Sequence, residues 1–185
     1  TNYIGSTFRK HIDTFSTVRL LYQNKHQNTT VSYSINRKER GNVELSKENS
    51  VGIAEIKGNI GRIWLSYPSG SSLKLYGALL DGDTGICVDN LAMRGNSGYS
   101  MLDVPVETLR ATDSLLSYRL IVLQYGLNAV HGNNTDFSAY KKQMLKVINH
   151  MKKSFPNDDI LLLSVSDRST LKSGKYVTMP GIPYL

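Results

Sequence analysis

The sequence is poor in the residues that usually mark a redox, metal or membrane protein. Its 185 residues include one cysteine, Cys87, which excludes an internal disulfide. No apolar run approaches the ~18 residues that a membrane-spanning helix needs. The sequence has no His-x-x-x-His pair, no paired cysteines and no acidic calcium loop. We therefore expect no metal, no cofactor and no transmembrane segment, and we interpret Cys87 as a small buried core residue.

Charge of one sign is not concentrated in either half of the chain. The formal net charge is +7, with 11 basic and 7 acidic side chains in residues 1–83 and 11 and 8 in residues 84–185. Proteins that bind nucleic acid typically have a stripe of basic residues interleaved with aromatic residues that stack on the bases. The charges of this chain do not form such a stripe. We expect no nucleic-acid partner. No signal peptide begins at Thr1, and we expect that a leader has been removed.

The first part of the chain, residues 1–83, is predicted to be a small antiparallel β-sandwich. Short β-rich segments alternate with polar turns, and no helix of normal length fits. The predicted strands are Val18–Tyr22, Thr30–Ile35, Val51–Ile56, Arg62–Tyr67 and Leu73–Leu80. The turn signals are Arg40-Gly41-Asn42, Lys57-Gly58-Asn59 and Pro68-Ser69-Gly70.

The second part, residues 84–185, alternates strand-like and helix-like segments. The predicted strands are Ile86–Met93, Leu120–Gln124 and Ile160–Val165, and the predicted helices are Val106–Leu116 and Asp136–Phe155. Apolar residues recur every three or four positions in the longer helix, and Pro156 ends it. This alternation indicates an α/β domain with a parallel sheet.

Small polar residues follow each predicted strand of this sheet, where ligands of parallel sheets bind. The three segments are Arg94–Gly98, Tyr125–Asn128 and Ser166–Ser169. A side-chain amide or a glycine N–H in such a turn can donate to a developing oxyanion, and losing one such donor typically costs ~3 kcal/mol of transition-state stabilisation.

These segments carry a resemblance to a known family. Residues 85–98, Gly-Ile-Cys-Val-Asp-Asn-Leu-Ala-Met-Arg-Gly-Asn-Ser-Gly, resemble the second conserved block of SGNH (GDSL-type) hydrolases, and Leu120–Asn128 with its Gly-x-Asn resembles the third. Ser166-Asp-Arg-Ser169 and Thr178-Met-Pro-Gly-Ile182 resemble later strings of the envelope-associated subgroup from bacteria of the Bacteroides type, whose members carry an inserted β-sandwich. The resemblance covers roughly residues 73–185.

The resemblance implies a three-layer, parallel-sheet SGNH domain of flavodoxin-like type, only part of which lies in residues 84–185. It implies ester hydrolysis without cofactor or metal, acting on acylated carbohydrate or envelope polysaccharide in a periplasmic or secreted setting. Gly95 would supply a backbone oxyanion donor and Asn128 a side-chain donor, and Gly126 would make room for the loop. From the residues themselves, we expect Asn96, Asp167 and Arg168 to line the substrate pocket, with Asp167 and Arg168 forming an ion pair at its rim rather than acting as acid or base.

The chain departs from the family at the nucleophile and the base. It has no Gly-Asp-Ser, and Gly82-Asp83-Thr84 is interpreted as a hairpin turn. It has no C-terminal Asp-x-x-His, so we expect a fragment whose serine, aspartate and histidine lie outside it. His131 is interpreted as a loop residue and His150 as structural. Turn or capping roles are also expected for the nearby serines, Ser97, Ser100, Ser166 and Ser169.

An alternative function is a non-catalytic glycan-binding or interaction module. Aromatic side chains of the predicted sandwich could stack on sugar rings, although large aromatics more often fill a core. The aromatics in question are Tyr22, Tyr33, Trp64 and Tyr67. The sequence leaves open whether the chain is catalytic or binding.

Overall fold

The computed structural model describes residues 2–4, 14–69, 72–82 and 84–185. The chain divides into two compact units, Thr1–Asn90 and Leu91–Leu185. The strands of the first unit are β1 Asn2–Ile4, β2 Phe15–Asn24, β3 Thr29–Ile35, β4 Glu39–Leu45, β5 Glu48–Ile60, β6 Arg62–Ser66 and β7 Lys74–Asp81. The elements of the second are α1 Val106–Leu116, β8 Leu120–Leu123, α2 Ser138–Ser154, β9 Asp159–Leu162, β10 Ser169–Lys172 and β11 Lys175–Thr178, with short 3₁₀ turns at Tyr99–Asp103, Leu127–Ala129 and Ile182–Tyr184.

The first unit contains two antiparallel sheets that share one hydrophobic core, as expected for a β-sandwich. The strand orders are β1-β6-β3-β4 and β5-β2-β7. Alternate residues of the strands point inward, because successive side chains of a strand lie on opposite faces. The fully or nearly fully buried core residues include Val18, Leu20, Val31, Ile35, Leu45, Ile56, Ile60 and Ile63. Burying one such aliphatic side chain contributes about 2 kcal/mol.

A tyrosine ring covers a glycine of the neighbouring strand in each sheet. Tyr33 of β3 pairs with Gly41 of β4, and Tyr22 of β2 pairs with Gly52 of β5. A Cβ added to Gly41 would lie 2.5 Å from the Tyr33 ring, and one added to Gly52 would lie 2.7 Å from the Tyr22 ring. The rings therefore fill the space that a side chain would otherwise take. Both tyrosines belong to the sandwich core.

The strand β4 was not predicted, because Arg40-Gly41-Asn42 was interpreted as a turn. The turn lies earlier, at residues 35–38, where Lys38 N donates to the Ile35 carbonyl at 3.0 Å. Its central residues, Asn36 and Arg37, have φ of +52° and +61°. Positive φ at both central positions is the geometry of the tight hairpin turn, and asparagine tolerates it well.

The second unit packs two helices against a parallel pair of strands. β8 and β9 pair in parallel, with Ile121 opposite Ile160. Leu123, Val147, Met151 and Phe155 form the buried cluster, joined by Leu109 of α1. The other residues of β8, Leu120 and Val122, remain about half exposed, at 51% and 50%. The helices were predicted at or within two residues of their observed bounds.

The predicted fold class was wrong. The structure contains mostly small antiparallel sheets with one two-stranded parallel pair, and not a three-layer α/β SGNH fold. The segment Ile86–Met93, predicted as a strand, is irregular, and Ile86 and Val88 are 94% and 85% exposed. An apolar run forms a strand only if a neighbouring strand pairs with its backbone N–H and C=O groups. This segment pairs with no strand in the described part of the chain. The hairpin β10–β11 was also missed.

The prediction of a buried Cys87 was wrong for the same reason. With no strand at this position, Cys87 is exposed, and its Sγ donates to Asp81 Oδ1 at 2.6 Å. The other carboxylate oxygen of Asp81 accepts from Arg19 Nε at 2.7 Å. The hydrogen bond to Asp81 is the largest cause that raises the pKa of the Cys87 thiol to about 11. A raised pKa keeps the thiol protonated and unreactive near neutral pH.

Candidate active site

The loop of residues 94–98, here called the Asn96 loop, holds two of the predicted site residues. Gly95 is exposed and has φ of +81°, a conformation that favours glycine. Asn96 Oδ1 accepts from the Gly98 N–H at 2.6 Å, and its Nδ2 donates to Ser100 Oγ. No acceptor for the Gly95 N–H occurs among the described residues. The Asn96 side chain thus stabilises a turn that leaves one backbone donor free.

The Asn96 loop is anchored to α2. Tyr140 of that helix donates from its hydroxyl to the Ser97 carbonyl at 3.2 Å. A Cβ added at Gly98 would lie 3.0 Å from the Tyr125 ring and 3.2 Å from Met144 Sδ, so glycine is required for this close approach. Burial raises the pKa of Tyr140 to about 12, with further contributions from Tyr99 and Tyr125, which keeps its hydroxyl a neutral donor.

The second predicted segment is represented by residues 126–130, here called the Asn128 loop, which Gln124 and Tyr125 connect to β8. The Ala129 N–H donates to the Gly126 carbonyl at 2.7 Å, which closes a 3₁₀ turn. Gly126 is buried with φ of +127°, and a Cβ there would lie 2.2 Å from Leu185 Cδ2 and 2.7 Å from Val165 Cγ1. The glycine was predicted to make room for the loop, and the packing shows why a larger residue does not fit.

The two loops are joined by one hydrogen bond. Asn128 Nδ2 donates to the Asn96 carbonyl at 2.9 Å. Because a side-chain amide has two N–H groups, this bond orients the Asn128 amide and leaves its second N–H available. Asn128 itself is exposed. The structure therefore brings Gly95, Asn96, Gly126 and Asn128 into two hydrogen-bonded loops at the end of β8.

Arg168 reaches the same loops from the segment that follows β9. Its Nη1 donates to the Leu127 carbonyl at 2.7 Å and to the Val130 carbonyl at 3.4 Å. Asp167 instead accepts from Thr178 Oγ1 at 3.3 Å. The predicted ion pair between these two neighbours is replaced by separate contacts. Arg168 acts as a clamp that holds the Asn128 loop through its backbone.

Tyr140 was not predicted as a site residue. Its spacing in α2 identified it as one of the apolar positions of the helix. Nothing local in the sequence indicates that its hydroxyl donates to the Ser97 carbonyl. Among the described residues, no histidine ring is a hydrogen-bond partner of the serines near the loops, which are Ser97, Ser100, Ser166 and Ser169. His131 is exposed, whereas His150 Nε2 contacts the Val104 carbonyl at 2.9 Å, a structural role.

The arrangement can stabilise a negative charge but has no attacking group of its own. Two N–H donors are available at the joined loops, the backbone N–H of Gly95 and the second amide N–H of Asn128, and neither has an acceptor among the described residues. Within residues 2–4, 14–69, 72–82 and 84–185, no helix is long and apolar enough to cross a membrane.

No protein-family model matches the chain, and no curated protein sequence matches it.

Proposed function

We propose that the Asn96 and Asn128 loops are the oxyanion-stabilising part of an ester hydrolase of the SGNH type. The substrate is an acylated carbohydrate, with a cell-envelope polysaccharide carrying acetyl groups as the leading case, in the periplasm or outside the cell. The observation that supports this most directly is the 2.9 Å hydrogen bond between Asn128 Nδ2 and the Asn96 carbonyl. It joins the two segments whose residues resemble the family's oxyanion donors.

The proposed reaction is acyl transfer followed by hydrolysis. A serine hydroxyl attacks the ester carbonyl while a histidine accepts its proton, and the carbonyl oxygen becomes an oxyanion held by the Gly95 N–H and the Asn128 amide. Collapse of this intermediate expels the sugar hydroxyl, and water then releases the acyl group from the serine. The serine and the histidine are residues outside the 185, so the chain by itself is expected to give no turnover above buffer.

The test uses the full polypeptide that the gene encodes around these residues. Hydrolysis of p-nitrophenyl acetate and of an acetylated polysaccharide is measured for the wild type, Asn128→Ala and the matched control Asn133→Ala, which alters an exposed asparagine of the following loop. We expect kcat to fall by about 100-fold or more in Asn128→Ala, with KM nearly unchanged, because the lost donor acts on the transition state. The control should keep wild-type kcat.

Labelling with a fluorophosphonate provides the second measurement. The reagent should modify one serine that lies outside residues 1–185, as shown by mass spectrometry of the digested protein. Unchanged kcat in Asn128→Ala would remove the assignment of that residue, and the absence of any labelled serine would remove the proposed reaction.

A further inference from the structure

The single tryptophan of the chain lies on the outward face of the sandwich. Trp64 of β6 pairs with Ser34 of β3, and its chain neighbours Ile63 and Leu65 point into the core. Trp64 is only partly buried. Of the aromatics considered for sugar stacking, Tyr22 and Tyr33 belong to the core and Tyr67, 52% exposed, lies beyond the end of β6, so Trp64 is the ring on the outward face of β6.

Two arginines lie beside this ring, and a third lies on the same face of the sheet. The guanidinium carbons of Arg37 and Arg62 lie 5.3 and 5.4 Å from the Trp64 ring centroid, within the range of cation–π attraction. Arg40 of β4 pairs with Ser34, which in turn pairs with Trp64. Arg40 and Trp64 are thus on the same face, two strands apart, or about 10 Å. We call Arg37, Arg40, Arg62, Trp64 and Ser34 the Trp64 face.

Asn36 ties together the two backbone segments that carry Arg37 and Arg62, whose guanidinium groups both contact the Trp64 ring. Its Oδ1 accepts from the N–H groups of Gly61 and Arg62 at 3.0 and 2.9 Å, and its Nδ2 donates to the Asn59 carbonyl at 2.8 Å. The turn that carries Arg37 is therefore tied to the connection that carries Arg62. A preorganised pair of cations loses less conformational entropy on binding than two free surface side chains.

The charge of the Trp64 face is not neutralised by nearby carboxylates. Within the described part of the chain, the ion pairs are Arg19–Asp81 and Lys57–Glu55, and neither involves the Trp64 face. Glu39 pairs with the buried Ile35 and so lies on the opposite side of the sheet from Arg40. Glu44 shares the outward face, but it lies four residues along β4 from Arg40, or about 13 Å, and accepts from Asn28 Nδ2. Three arginines thus leave a net positive surface around one aromatic ring.

We propose that the Trp64 face binds an anionic polysaccharide, one that carries carboxylate or sulfate groups on its sugars. Arginine forks bind such groups with two parallel hydrogen bonds. The same outward face presents small polar side chains that suit sugar hydroxyls. These are Ser32, Ser34, Asn42 and Ser66, which neighbour one another across β6, β3 and β4. This site does not depend on the proposed hydrolase activity.

The chemistry of the Trp64 face favours a glycan over a single-stranded nucleic acid. Nucleic-acid strands are bound by a series of aromatic side chains on which successive bases stack, along a continuous basic groove. Trp64 is the only aromatic residue on this face of β3, β4 and β6. A flat polar strand surface with one ring and clustered guanidinium groups fits a chain of acidic sugars.

The single tryptophan makes the test site-specific, because the intrinsic tryptophan fluorescence of the chain reports on this face alone. The chain is titrated with polygalacturonate, dextran sulfate, neutral dextran and oligothymidylate. We expect at least one of the two acidic polysaccharides to change the Trp64 emission and neutral dextran to leave it unchanged. Binding should weaken as salt is added, because the contacts are between exposed charges.

Variants separate the Trp64 face from general charge attraction. Arg37→Gln and Arg62→Gln should each weaken the affinity about tenfold, whereas Lys74→Ala, which removes an exposed cation from the other sheet, should not. Arg37→Lys keeps the charge but loses the planar fork, and it should fall between wild type and Arg37→Gln. The affinity of Trp64→Phe is measured by calorimetry, because this variant lacks the tryptophan. Circular dichroism confirms that each variant is folded.

Three outcomes would overturn the proposal. The first is that neither acidic polysaccharide binds. The second is an equal loss of affinity in Lys74→Ala and the arginine variants, which would mean unspecific attraction to a basic protein. The third is tighter binding of oligothymidylate than of either polysaccharide, which would assign the Trp64 face to nucleic acid.

Discussion

Replacement of Asn36 is expected to destabilise the sandwich through two separable effects. Asn36→Ala removes three hydrogen bonds, two accepted from Gly61 and Arg62 and one donated to Asn59. Since these groups are exposed and water can replace the side chain, each bond contributes about 0.5–1 kcal/mol, or about 2 kcal/mol together. Alanine at φ of +52° costs about 1 kcal/mol more.

A set of variants distinguishes the two effects. Asn36→Gly tolerates the positive φ and should lose only about 2 kcal/mol, against about 3 kcal/mol for Asn36→Ala. Asn36→Asp keeps both accepted hydrogen bonds and should stay within about 1 kcal/mol of the wild type. Asn42→Ala alters an exposed asparagine of β4 and should change stability by less than about 0.5 kcal/mol.

Urea unfolding followed by Trp64 fluorescence is the suitable assay, because the tryptophan lies in the first unit and reports on it specifically. The expected order of stability is wild type, Asp, Gly, Ala. Equal losses in Asn36→Gly and Asn36→Ala would show that the positive φ carries no cost. A loss below about 1 kcal/mol in Asn36→Ala would refute the hydrogen-bond argument as well.

Three further predictions concern titration and packing. The rate of Cys87 alkylation should follow a pKa of about 11, and at pH 8 it should be roughly a hundredfold lower than the rate for a thiol of ordinary pKa. Asp81→Asn should raise this rate. A rate in the wild type equal to that of free cysteine would contradict the prediction. Gly126→Ala should cost the second unit about 3 kcal/mol in chemical denaturation followed by circular dichroism, because the new Cβ collides with Leu185 at a positive φ. Burial, and next the neighbouring Asp113 carboxylate, raise the pKa of Asp158, so its contribution to stability is fully present below the unfolded value of about 3.9 and is lost as pH rises through the raised folded pKa. Asp158→Asn should therefore stabilise the protein at pH 7 but not at pH 3, and equal effects at both would exclude this cause.

The parts of the fold that depend on local pattern could be predicted from the sequence. Apolar residues that recur every three or four positions place α2 correctly, and the proline before Val106 places the start of the other helix, α1. The apolar run Leu120–Gln124 contains β8. Ile86–Met93 has the same apolar character but no strand beside it. Whether an apolar run becomes a strand depends on residues distant in sequence, which local pattern does not contain.

The candidate site shows the same division. That Asn128 lies beyond the end of a strand followed from the small polar residues after the apolar run of β8, whereas the strand predicted before Asn96, Ile86–Met93, does not form. The direct hydrogen bond between Asn96 and Asn128 could not be predicted, because it joins residues 32 positions apart. The contacts of Arg168 with backbone carbonyls and of Tyr140 with Ser97 are likewise set by tertiary packing, and a charge pattern suggested a different partner for Arg168.

The tyrosine rings that lie over glycines also restrict how the two sheets can assemble during folding. If β3 and β4 first met two residues out of alignment, the Tyr33 ring would face Val43 or Glu39, where a side chain already occupies the space that Gly41 leaves empty. Tyr22 imposes the same restriction at Gly52 in the other sheet. Misaligned intermediates are therefore disfavoured by steric collision before the hydrophobic core has formed. Each of the two sheets therefore contains one tyrosine–glycine pair that favours the correct strand register.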